Sequence, residues 1–139
     1  MDRREFIKSS CSLCFALGSG LTLASLESCS PAFIYKTEVR QRKLHVPLSI
    51  FADKIFVIVS SGLDYNIALK KIGENLFFAL RMQCTHEDFN LTSTGDGFHC
   101  NLHGSKFNDQ GIVTKGPAVK PMIKYNTEVV GDDVIINLF

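Results

Sequence analysis

From residue 43 onward, apolar residues fall into short runs separated by turn-forming residues, a spacing that favours strands over helices. In Lys43 to Phe51, the residues Leu44, Val46, Leu48 and Ile50 alternate with other side chains and predict a strand with one apolar face. Ile55 to Val59 is an unbroken apolar run and predicts another strand. Asn66 to Ile72 alternates again and ends at the turn sequence Gly73-Glu74-Asn75, after which Leu76 to Met82 predicts a further strand. Met122 to Val130 and Val134 to Leu138, joined by Gly131-Asp132-Asp133, read as a closing hairpin. No helical stripe appears after residue 30. The pattern predicts an all-β fold, a small antiparallel sandwich or barrel over residues 43–139. It sets residues 30–42 as a linker behind a distinct N-terminal segment, residues 1–29.

Composition narrows the function. The chain has 139 residues, 45% of them hydrophobic and 21% charged, which suits one globular domain and excludes a disordered chain or a multi-span membrane protein. Lys and Arg total 15 against 14 for Asp and Glu, so nothing in the net charge of +1 favours a nucleic-acid partner. Trp is absent, and the 11 Phe residues help to fill the core. The five Cys residues argue against a simple disulfide framework, because their number is odd and they fall into two groups.

The first group belongs to the N-terminal segment. Arg3-Arg4, with Phe6 and Lys8 following, precedes a stretch from Ser9 to Leu26 that carries no charge. A basic head before a short apolar stretch is a secretion signal. The arginine pair with that spacing resembles the twin-arginine export signal of bacteria. At 18 residues, diluted by Ser, Gly and Thr, the stretch suits a signal better than a spanning helix. Ser28-Cys29 just beyond it resembles a lipoprotein processing site, at which Cys29 would become the lipidated first residue. Cys11 and Cys14 have redox-pair spacing but lie inside the apolar stretch, where they serve as small apolar residues. A twin-arginine signal implies export of a folded protein whose cofactor is already inserted.

The second group carries the chemistry. Cys84-Thr85-His86 is followed, after 13 intervening residues, by Cys100-Asn101-Leu102-His103. Each segment offers one thiolate and one imidazole, ligands that suit soft or borderline metals. Spacing alone leaves a Rieske-type [2Fe-2S] cluster and a structural zinc site both open. A Cys-His nucleophilic pair fares worst, because it would leave the other Cys and His unused.

The residues around the second motif go further. Cys100 to His103 continues into Gly104-Ser105, and Lys115-Gly116-Pro117-Ala118 follows. Together with Cys84-Thr85-His86, these stretches resemble the Rieske [2Fe-2S] family over about residues 43 to 139. The resemblance implies a Rieske-type antiparallel β-sandwich or barrel with two cluster-binding loops and a proline loop at one end. It implies Cys84 and Cys100 on the inner iron and His86 and His103 on the outer iron, near the surface. It also implies a Ser105 hydroxyl donating to sulfur and a covering loop at Pro117. The positions at which quinol-oxidising members carry a disulfide hold Phe89 and Leu102, and Phe107 lacks the hydroxyl of a second sulfur donor. With Glu87 and Asp88 beside His86, these departures imply an intermediate or low potential for the class.

The expected function is a single-electron carrier, or the small subunit of an exported oxidoreductase complex, and not an enzyme by itself. Its expected partners are a redox donor and acceptor, with a membrane held through lipid or the N-terminal segment on the periplasmic side. A quinol-oxidising subunit of a cytochrome bc-type complex and a zinc-stabilised surface binding module are the alternatives; a ferredoxin feeding an aromatic-ring dioxygenase also lacks the disulfide, but the export signal disfavours it. Elsewhere, His99 reads as a half-exposed strand residue and His45 as a polar-face residue. Lys106 and Lys115 read as solvated loop charges or a steering patch for an acidic partner.

Overall fold

The computed structural model describes residues 31–139. The twin-arginine-like signal, the Cys11 and Cys14 pair and the candidate lipidation site Cys29 lie outside the described residues.

Apart from one 3-10 helix, the regular elements of the described residues are all strands. They are β1 (Ile34–Lys36), β2 (Lys43–Pro47), β3 (Phe56–Ser60), β4 (Ile67–Lys71), β5 (Phe77–Arg81), β6 (Leu91–Ser93), β7 (Gly97–Cys100), β8 (Lys106–Asn108), β9 (Val113–Lys115), β10 (Lys124–Val130) and β11 (Asp133–Asn137). A seven-stranded sheet runs in the order β1-β3-β4-β5-β10-β11-β2, and a four-stranded sheet in the order β6-β7-β8-β9. The fold is therefore all-β, as the apolar spacing predicts.

Three details differ from the sequence reading. Lys43 to Phe51 is not one strand. Its alternation holds through β2, and Leu48–Ala52 then forms a 3-10 helix that buries Phe51. Phe51 packs edge-on against Phe77, with ring centroids 4.8 Å apart, so a strand-like spacing ends as a turn that plugs the core. The stretch expected as a linker contributes β1, which pairs with β3 in parallel through Ile34 and Ile58. At three residues β1 is too short for its pattern to register, and the pairing departs from a purely antiparallel sheet. The segments between the two Cys-His motifs and after them form β6 to β9, strands of three or four residues that periodicity did not reveal.

Two apolar cores explain the runs. Val57 and Val59 of β3, Ile67 and Leu69 of β4, and Ala79 of β5 meet Leu44 and Val46 of β2 and Val134 and Ile136 of β11 in one cluster. Strands from opposite ends of the strand order share this core, so the large sheet curls around it. Ile58, Ala68 and Leu80 point to the other face of β3, β4 and β5 and join a second cluster with Leu91, Phe98 and Phe107 of the small sheet. The unbroken run of β3 follows from burial on both faces, since each fully buried Val or Ile contributes roughly 1.5–3 kcal/mol. This second cluster also contains Cys84 and Cys100.

Candidate functional site

The chain leaves β5 at Arg81 and turns immediately into the first Cys-His segment. The Cys84 N–H donates to the Phe89 carbonyl at 2.8 Å, which closes a loop around His86. The second segment repeats the device between β7 and β8. There the Cys100 N–H donates to the Ser105 carbonyl, also at 2.8 Å, and encloses His103. In both loops the bond joins a Cys to the residue five positions later. The second loop gains one more closure, from the Gly104 N–H to the Cys100 carbonyl at 3.0 Å.

The two loops meet. Cys84 is 2% and Cys100 1% exposed, and the Cys84 sulfur lies within hydrogen-bonding reach of the Cys100 and Ser105 side chains. His86 and His103 are exposed above them, with ring centroids 5.1 Å apart and planes at 86°. The two thiols are thus paired and buried, and the two imidazoles paired and exposed, on the same two loops. Neither Cys is in a disulfide. Phe89 and Leu102 are both exposed, and as neither carries a thiol no disulfide joins the loops at those positions.

The electrostatics favour negative sulfur. Burial acts to raise the pKa of the Cys84 thiol. The backbone N–H groups of His86 and Glu87, with the side chains of Cys100 and Ser105, outweigh it and hold the thiol below its ordinary value. Ser105 is fully buried, the one buried polar side chain among the described residues. Its oxygen accepts from the Ala118 N–H at 3.0 Å, which leaves its hydroxyl hydrogen free to donate to the Cys84 sulfur.

A third segment, residues 116–121, locks this arrangement. Ala118 is buried in the same cluster as the two Cys residues, whereas Pro117 is exposed. The inward contact of the expected covering loop is therefore made by Ala118. Thr85 ties the first loop to the same segment by donating to the Lys120 carbonyl at 2.6 Å.

One neighbour escaped the sequence reading. Glu87, expected only beside His86, reaches across to the other loop, where its carboxylate lies 4.0 Å from His103 Nδ1. Ligand atoms of His86, Glu87 and His103 all lie within 4.8 Å of one another. Adjacency to His86 was the only signal available, because the cross-loop contact depends on how the loops fold together. His99 lies half-buried in β7 as expected, and His45 sits on β2 with Nδ1 3.4 Å from Asp133.

Two buried thiols under hydrogen-bond donors and two exposed imidazoles on paired loops of an all-β scaffold offer the donor types of an iron–sulfur site of mixed ligation. A family model of the Rieske [2Fe-2S] domain matches residues 32–127, and the chain belongs to that family, whose cofactor is a Rieske-type [2Fe-2S] cluster. The biphenyl dioxygenase ferredoxin subunit of Pseudomonas sp. (strain KKS102) is 35% identical over 66 residues, 44% of this chain and 61% of that protein. The chain thus matches less than two thirds of that relative's length. The crystal structure of the cyanobacterial plasma membrane Rieske protein PetC3 from Synechocystis PCC 6803 superposes with a TM-score of 0.53 at 22% identity, covering 66% of this chain and 94% of that one. A chain from the complex of reduced oxygenase and oxidised ferredoxin in carbazole 1,9a-dioxygenase superposes with a TM-score of 0.51 at 25% identity, covering 70% and 94%.

Proposed function

We propose that the chain is a single-electron carrier in which Cys84 and Cys100 hold one iron of the cluster and His86 and His103 hold the other. The observation that carries this reading is the separation of the donors by depth, with both thiols buried and both imidazoles exposed. The bound cluster supplies one-electron chemistry at a potential above that of all-thiolate clusters, in a range of about −150 to +300 mV. His86 and His103 present their ring edges to solvent and give a partner the shortest path to the metal. The apolar cluster behind Cys84 and Cys100 keeps water from the sulfur side.

Ser105 tunes that site. A hydroxyl donating to sulfur favours the more negative, reduced state, so Ser105→Ala is expected to lower the potential. A differential worth roughly 1 kcal/mol corresponds to about 40 mV for one electron. Redox titration of the two proteins at pH 7 measures the shift, and an unchanged or raised potential contradicts the role.

The partners are read as redox proteins. The biphenyl relative is a ferredoxin subunit, and the carbazole complex joins an oxygenase to a ferredoxin, which supports a carrier serving a larger oxidoreductase. The sequence of residues 1–29 supports export with membrane tethering at Cys29, on the periplasmic side, as a carrier or the small subunit of an exported complex. Phe89 and Leu102 leave the loops without the disulfide of quinol-oxidising members, which disfavours that role. The deciding experiment is metal analysis and EPR on the purified full chain. Two irons per chain, a red-brown colour and a Rieske-type signal on reduction are expected. A colourless protein holding zinc overturns the reading.

A further inference from the structure

The end of the large sheet remote from the two Cys-His loops carries a cluster of exposed apolar side chains that electron transfer does not use. Phe33, Ile55, Ile72 and Leu76 are 42%, 67%, 59% and 64% exposed. The backbone places them at one end. Ile55 accepts from the Lys71 N–H through its carbonyl at 2.8 Å, and the Ile72 N–H donates to the Leu76 carbonyl at 2.9 Å. Phe33 joins them through Lys54, whose Nζ lies 5.1 Å from the Phe33 ring centroid and next in sequence to Ile55. Leu76 precedes β5 and Cys84 follows it, so the strand path separates the patch from the thiols by about 25 Å.

The chain joins the domain at this same end. β1 runs parallel to β3, and the Phe33 carbonyl accepts from the Ile58 N–H at 2.9 Å. Residues 31 and 32 therefore lie level with the start of β3, beside Ile55. Only two residues separate Cys29 from Ala32, so a tether there would hold this end, and no other, within a few residues' reach of a bilayer.

We propose that Phe33, Ile55, Ile72 and Leu76 form a membrane-resting base that enters the bilayer interface and turns the two exposed histidines away from the lipid. The proposal rests on the tethering read from the N-terminal sequence. A lipid tether fixes only one point of the chain and leaves the domain free to swivel, whereas an apolar contact at the same end adds buried area and sets the orientation. Charge at this end is mixed. Lys54 is paired with Asp53 at 2.8 Å, and Glu74 lies between Ile72 and Leu76 in sequence, so the base suits a lipid interface without needing anionic headgroups.

The absence of Trp from the whole sequence makes the test direct. Leu76→Trp and Val119→Trp proteins, the second altered in the segment that covers the thiols, are expressed from the whole sequence so that Cys29 can be processed, and are incorporated into phosphatidylcholine vesicles with and without brominated acyl chains. Val119 is 86% exposed, so neither change disturbs packing. Bromine is expected to quench Leu76→Trp at least about threefold more than Val119→Trp, because interfacial side chains sit about 5–10 Å into the boundary. Equal quenching, or none, in vesicle-bound protein overturns the base while leaving the tether intact. Failure of protein expressed in this way to associate with vesicles overturns the tether and the base together.

Discussion

Replacing Cys84 with Ser is expected to abolish the colour of the protein, its EPR signal on reduction and most of its iron. Cys84 is buried in the second core, and its sulfur is the atom toward which the N–H groups of His86 and Glu87 and the Ser105 hydroxyl converge. Those donors favour a thiolate. A serine hydroxyl does not ionise near neutral pH and makes a poor ligand for iron, so the donors are left facing a weak acceptor. The fold itself should survive. The loop is closed by the backbone bond from Cys84 to Phe89, which Ser retains, and a buried hydroxyl in reach of Cys100 and Ser105 costs about 1–3 kcal/mol at most. Far-UV circular dichroism separates loss of metal from loss of structure. Iron at the level of the unaltered protein, in a folded Cys84→Ser variant, would remove Cys84 from the ligand set.

The largest effect on stability is expected at Gly97, in β7. A Cβ built there lies 2.2 Å from the Phe107 carbonyl oxygen and 3.1 Å from Asn108 Cα, both backbone atoms of β8. Neither strand has room to retreat, because Gly97 pairs with Asn108, and the neighbouring Phe98 and Phe107 are both buried in the second core. Gly97→Ala is therefore expected to cost about 3 kcal/mol, which lowers the melting temperature by roughly 10–20 °C in a domain of this size. Gly62 is the control. Its φ is +73°, but nothing lies within 4 Å of a Cβ placed there, so Gly62→Ala meets backbone strain alone, about 1 kcal/mol. Thermal unfolding of the two variants side by side should rank Gly97→Ala well below Gly62→Ala, and the reverse order would deny the close approach of β7 and β8.

The large sheet was legible where burial imposes a period. Leu44 and Val46 alternate because β2 buries one face, and β3 reads as a continuous apolar run because both of its faces are covered. The small sheet was not, because β6, β8 and β9 each have three residues, too few for any period to emerge. For the same reason β1 read as linker, and the 3-10 turn after β2 was masked by Leu48 and Ile50 continuing the strand spacing. At the site, Cys84, His86, Cys100, His103 and Ser105 stand out in the sequence because metal-binding chemistry depends on residue type and local spacing. What local spacing does not encode is contact between loops. The reach of Glu87 to His103 and the seat of Ser105 under Ala118 arise only when segments distant in sequence are packed together.

The parallel pairing of β1 with β3 also has a mechanical side. A pull on the chain ahead of Pro31 acts along β1, and the bonds from Ile58 to the Phe33 carbonyl and from Thr37 to the Ser60 carbonyl lie across that direction. Such a ladder is strained in shear, with its rungs sharing the load, and it does not unzip one rung at a time. A tug on the chain from that side would thus be spread over the edge of the sheet before any of it reached the two Cys-His loops.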